Sequence, residues 1–215
     1  MWRFAVIALA AFSAVALGAS ENFDKVNGSI RIEGSRTVGD LSTVNGSIDV
    51  GEGTRAQDVE TVNGSIQLQQ RVIAQSVETV NGSVRLGAET QVLESAETVN
   101  GRISLEKRVQ VGGDLETVNG DLLLDEAKVD GQLRTVNGDI TVGAASRVGG
   151  GILVEESKGW SLSKSKLVPK IVIGPGAVVE GTLKFEREVK LYVSHTATIG
   201  KVEGATPIRF DGDQP

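Results

Sequence analysis

Glu60-Thr61-Val62-Asn63-Gly64-Ser65-Ile66-Gln67-Leu68 is the stretch that decides the fold. Its tripeptide Val-Asn-Gly occurs seven times, starting at Val26, Val44, Val62, Val80, Val99, Val118 and Val136, at intervals of 18, 18, 18, 19, 19 and 18 residues. A fixed period of this size marks a repeat architecture, in which each unit is one supersecondary element that buries its apolar face only by stacking on its neighbours. Four residues after the motif Val stands Ile30, Ile48, Ile66, Val84, Ile103, Leu122 or Ile140, and six after it Ile32, Val50, Leu68, Leu86, Leu105, Leu124 or Val142. One residue, polar in most copies, separates the two positions, which is the period-two pattern of a strand with one buried face. Further apolar residues recur near fifteen: Leu41, Val59, Val77, Ala96, Leu115, Leu133 and Ile152. Helical spacing does not organise these positions, and the β-branched residues and recurring Gly disfavour helix.

Each period therefore reads as one coil of about three short strands joined by tight turns. Stacked coils pair in parallel, about 4.8 Å apart. The expected fold is all-β: a single-stranded β-helix, or β-solenoid, of about 18-residue coils and parallel sheets. Between residues 21 and 208 there is room for roughly ten coils, a rod about 50 Å long.

The motif residues suggest their own roles. Asn27, Asn45, Asn63, Asn81, Asn100, Asn119 and Asn137 are expected to stack into an amide ladder. Gly28, Gly46, Gly64, Gly82, Gly101, Gly120 and Gly138 are expected to turn the corner with positive φ, which Gly adopts without a Cβ clash. Thr43, Thr61, Thr79, Thr98, Thr117 and Thr135 precede the motif and are expected to form a second ladder. Glu60, Glu78, Glu97 and Glu116 place four carboxylates in one column, flanked by Ser42 and Arg134; like charges stacked this closely disfavour a sheet. A solvated face accounts for that column, and an electrostatic docking strip is the sharper reading. One carboxylate per coil offers too few oxygens for Ca²⁺, so neither a metal nor a cofactor is expected.

The two ends differ from the middle. Met1-Trp2-Arg3, an apolar run from Phe4 to Leu17 and the small residues Gly18-Ala19-Ser20 have the plan of a secretory signal peptide over 1–20. The apolar run falls short of the roughly 20 residues that span a bilayer, so no transmembrane anchor is expected after cleavage, and the chain is expected to be periplasmic or extracellular. The regular repeat covers 21–153. Residues 154–170 are polar around Trp160 and read as an irregular loop or coil. Strand patterns return over 171–208, and 209–215 reads as a disordered tail.

Ile173-Gly174-Pro175-Gly176-Ala177-Val178-Val179-Glu180-Gly181 and Ala197-Thr198-Ile199-Gly200 resemble the bactofilins, polymer-forming β-helix proteins of bacteria. The Val-Asn-Gly-Ser-Ile units are similar to exported bacterial adhesin-type families built on Val-x-Gly-x-Ile. Together the resemblances cover nearly the whole chain after residue 20. They imply a β-solenoid, with surface contact and polymer formation as the roles those families suggest.

Composition narrows the function. The 215 residues include no Cys, one His and 27 Gly, with 22 basic and 28 acidic side chains and a net charge of -6. Thiolate chemistry and multi-His metal sites are excluded. The acidic balance argues against nucleic acid as a partner. The leading expectation is a non-catalytic structural or interaction rod for adhesion, scaffolding or self-assembly in the cell envelope. Uncovered ends invite another strand, which predicts end-to-end self-association, while the sides suit a cell-envelope protein or glycan. An alternative is a polysaccharide-binding or polysaccharide-active β-helix, for which Asp121, Asp125, Asp130 and Asp139 are the acidic candidates. A hexapeptide-type acyltransferase would rely on His195 as its base.

Overall fold

The computed structural model describes residues 21–156 and 168–215. Residues 1–20, expected to be a signal peptide, and Trp160 lie outside them. Among the described residues there is no helix, and every paired strand runs parallel to its neighbours in one of three sheets. Sheets A and B have ten strands each and sheet C has seven. The chain visits A, B and C in turn, so each visit completes one rung. Rung 1 consists of Phe23–Asn27 in sheet A and Ile30–Ile32 in sheet B, and reaches the third side at Thr37. Rung 2 repeats this with Leu41–Asn45, Ile48–Val50 and Arg55. Rung 10 closes the rod with Val202–Glu203 and Ile208–Phe210. The fold is thus a β-solenoid of ten rungs, or about nine turns.

Register follows the motif. Asn27 pairs with Asn45, Asn45 with Asn63, Asn63 with Asn81, Asn81 with Asn100 and Asn100 with Asn119. The alternation read from the sequence becomes continuous inward columns. Ile30, Ile48, Ile66, Val84, Ile103, Leu122, Ile140, Ile171 and Leu191 form one, and Leu41, Val59, Val77, Ala96, Leu115, Leu133, Ile152 and Leu183 another; every member is essentially inaccessible to solvent. Each buried Val, Leu or Ile contributes about 1.5–3 kcal/mol relative to exposure. Because the contacts run between rungs, no rung owns its share of the core.

The motif Gly residues work differently from the expectation. Of the seven, only Gly28 has a positive φ, at 110°. The other six are required by close approach. A Cβ on Gly46, Gly64, Gly82, Gly101, Gly120 or Gly138 would lie 1.7–2.2 Å from the carbonyl oxygen of the motif Gly one rung earlier. The left-handed residues sit instead at the corner between sheets B and C, in a column of Ser35, Gly53, Arg71, Glu89, Arg108, Glu126, Ala145 and Gly176. Most of them are not Gly, so composition gave no signal for this corner.

The Thr column differs too. Thr43, Thr61, Thr79, Thr98 and Thr117 are buried, and do not bond to one another. Each hydroxyl donates to the motif Gly carbonyl one rung earlier, at 2.9–3.1 Å. The crowded Gly carbonyl and the buried hydroxyl thus satisfy each other, as buried polar groups must. The pattern stops at rung 7, where the strand ends at Thr135, whose hydroxyl has no partner.

Segment boundaries shift at the C-terminal half. The stretch expected to be irregular over 154–170 begins and ends in strand, with Val154 closing Ile152–Val154 and Lys170 opening Lys170–Ile173; residues 157–167 lie outside the described ones. Of the tail expected over 209–215, Arg209 and Phe210 belong to the last strand of sheet B.

Candidate functional site

The outward face of sheet A carries the repeat's chemistry. The Asn side chains line its edge as a continuous amide ladder. Nδ2 of Asn45, Asn63, Asn81, Asn100, Asn119 and Asn137 each donates to Oδ1 of the Asn one rung earlier, at 2.9–3.1 Å. Arg187, from rung 9, ends the ladder by donating to Asn137 Oδ1 at 2.5 Å and to the Val136 carbonyl at 2.9 Å. Along the ladder each interior amide gives one N–H and one carbonyl lone pair to its neighbours.

Inside the Asn edge runs the motif Val column. Strand alternation turns Val44, Val62, Val80, Val99 and Val118 outward, where they are half-buried by their stacked neighbours, and Val26 on rung 1 is 59% exposed. Two residues back, Glu60 pairs with Glu78, Glu78 with Glu97, Glu97 with Glu116, and Glu116 with Arg134. Partial burial and the neighbouring carboxylates raise the pKa of Glu60, Glu78 and Glu97. Glu116 is pushed up to about 7, mainly by burial and further by Glu97, Asp114 and Glu155. Arg134 opposes this from 3.2 Å, but cannot outweigh the loss of water around a side chain only 19% exposed.

Asp and Ser at the corners serve the backbone. At the entry to sheet A, Asn22, Asp40, Ser95 and Asp114 accept the N–H of the residue one rung later. After the motif Gly, Ser29, Ser47, Ser65, Asp121 and Asp139 do the same. Ser and Asp are interchangeable there because both present an acceptor oxygen at the same reach.

This explains where the acidic candidates went. Asp121 and Asp139 stack in that backbone-accepting column, and Asp121 also pairs with Arg102 at 2.7 Å. Asp130 pairs with Lys128 at 2.7 Å, and Asp125 sits at the corner after Leu124. Their roles are divided among corners and ion pairs rather than gathered in one groove. His195 holds Asp211 at 2.6 Å near the C-terminal end. Among the described residues no three His, Asp or Glu side chains converge on a position for a metal ion.

The remaining sides carry mixed charge. Arg31–Asp49, Arg85–Glu106, Arg102–Asp121 and Lys107–Glu126 span adjacent rungs, as do the close pairs Arg71–Glu52 and Arg108–Glu89. On sheet A, Glu60, Glu78, Glu97 and Glu116 instead stack like charges over four rungs, with Arg134 compensating at the Glu116 end.

These features define the class as a β-solenoid repeat protein. Beyond that class, no family model matches the chain, and neither does any curated protein or solved structure.

Proposed function

We propose that the protein is an exported, non-catalytic interaction rod of the cell envelope, which holds a protein or glycan partner along its side. The observation that carries this reading is the outer face of sheet A, where a carboxylate column and a Val column run side by side in register over four rungs. Such an array offers a partner equivalent contacts at a repeat of about 4.8 Å, so weak single contacts gain from multivalency. Acidic groups flanked by apolar ones select a partner carrying positive charge beside apolar surface. The leader-like residues 1–20 supply the export part of the proposal.

Two measurements test it. Cells expressing the full chain should yield the protein in the exported fraction, lacking its first residues by intact mass. The exported protein should cosediment with isolated envelope material, and the combined E60Q, E78Q, E97Q and E116Q variant should bind at least several-fold more weakly. Retention in the cytoplasm, or undiminished binding by that variant, would sink the corresponding half.

A further inference from the structure

Both ends of the solenoid carry a cation in an inward column. On rung 1, Lys25 pairs in register with Thr43. It therefore occupies the first position of the column that continues through the buried Thr43, Thr61 and Thr79. On rung 10, Arg209 pairs in register with Val193. It therefore takes the last position of the column Ile32, Val50, Leu68, Leu86, Leu105, Leu124, Val142, Ile173 and Val193, whose members are all buried. Both cations are exposed, and each turns back onto its own end of the rod. Lys25 Nζ donates to the Ser29 carbonyl at 2.7 Å, and an Arg209 guanidinium N–H donates to the Ser194 carbonyl at 3.0 Å.

The surroundings reinforce the pattern. At the first end, the Arg36 guanidinium lies 6.0 Å from the centre of the Phe23 ring, which begins the column of Leu41 and Val59, and Arg36 also pairs with Glu21 at 3.3 Å. At the last end the sheet A strand shrinks to Val202–Glu203, against five or six residues in most earlier rungs. Pro207, just before Ile208–Phe210, has no N–H for a further strand to use. Short edge strands, Pro and inward-pointing charges are the devices by which sheets avoid edge-to-edge pairing.

We infer that Lys25 and Arg209 close the two ends of the rod against a second copy of this chain. If one copy stacked on another, Arg209 would sit between Val193 and the apolar first rung of the next molecule. Lys25 would likewise be enclosed beneath the preceding molecule's last rung. Neither would have a carboxylate in its column, and an unpaired charge is not tolerated in an apolar interior. The inference stands on register alone and holds whatever the sides of the rod bind. It replaces the end-to-end polymer expected from uncovered ends with a molecule of fixed length.

Light scattering and negative-stain microscopy of the full chain test it, alongside the R209V/K25T double variant, which continues each column with its own residue type. The wild type should remain at the mass of one chain across a hundred-fold concentration range. The double variant should form stacks whose lengths are multiples of one rod. Both side chains are exposed, so each removal costs one hydrogen bond to a carbonyl and no core packing; R209M/K25M, which keeps the stem length and loses the charge, guards against disturbance of the terminal rungs by β-branching. Stacking of the wild type overturns the inference. So does a monomeric variant of either design with an unchanged β-sheet circular dichroism spectrum.

Discussion

At the residue scale, the motif Gly and Asn answer to different neighbours. Gly82 would place a Cβ 1.9 Å from the Gly64 carbonyl oxygen, whereas a Cβ on Gly28 meets nothing closer than 4.0 Å. Gly82→Ala should therefore destabilise by about 3 kcal/mol through forced backbone displacement, and Gly28→Ala by about 1–2 kcal/mol through its left-handed φ alone. Denaturant melts separate the two causes, and equal losses would contradict the close-approach account. The Asn-Gly pairs also differ in chemical vulnerability. Attack of the Gly amide nitrogen on the Asn side-chain carbonyl carbon expels ammonia, and water then opens the imide to Asp or isoaspartate. The amide N–H of Gly28, Gly46, Gly64, Gly82 and Gly101 is held by the Asn carbonyl one rung later, at 2.8–3.1 Å. Among the described residues no such bond holds the amide of Gly120 or Gly138. Peptide mapping after mild alkaline incubation should thus find conversion at Asn119 and Asn137 before the other five sites.

At the element scale, a strand of sheet A is set by what faces each side. The Leu/Val and Thr positions point into the rod, and the Glu and Val positions point out, as in Asp58–Asn63. The outward Glu column makes stability depend on pH. The folded-state pKa of Glu60, Glu78, Glu97 and Glu116 lies above the ordinary value of 4.5, at about 7 for Glu116. The folded chain then holds more protons than the unfolded one in that interval, so stability falls as pH rises. The facing groups Asp40, Asp58, Asp114 and Glu155 push the same way, and Arg134 opposes them. Melting temperature should decline from pH 4.5 to about 7.5, and Glu116→Gln should flatten the upper part of that decline. Glu78→Gln should raise stability at neutral pH by about 0.5 kcal/mol, by removing a like-charge neighbour on both sides. A melting temperature that climbs through this interval would falsify the assignment.

Much of this was legible in the repeat. Seven copies of Val-Asn-Gly and the alternation after each gave the strands, the parallel register and the inward columns. What stayed hidden depends on backbone position in three dimensions. Whether a Gly is needed for φ or for clearance is decided by a carbonyl 18 residues away. The left-handed corner from Ser35 to Gly176 uses Arg, Glu and Ala, whose identities carry no turn signal. Lys25 stands where six later copies have Thr, a visible break whose meaning appears only once that position is known to face inward. Arg209 had no such marker, because the motif had ended more than sixty residues earlier.

At the scale of the whole molecule, nearest-neighbour stacking makes the rod modular. Deleting residues 64–81 joins Asn63 to Gly82 and restores every register, because Asn63 and Asn81 are equivalent partners. That 18-residue deletion should fold, shorten the rod by about 4.8 Å and lose one interface's worth of stability. Deleting only residues 64–72 leaves the strands out of phase with the columns and should abolish cooperative folding, which circular dichroism melts would detect. The same winding governs the response to force. Phe23 and Phe210 lie in the first and last rungs of the rod, and the covalent chain circles its axis instead of running along it. Tension applied through these two points therefore falls on the hydrogen bonds between rungs. A molecule stretched between two anchors should lengthen stepwise, each released turn paying out about 60 Å of chain, so it would act as a ratcheted tether whose reach grows with load.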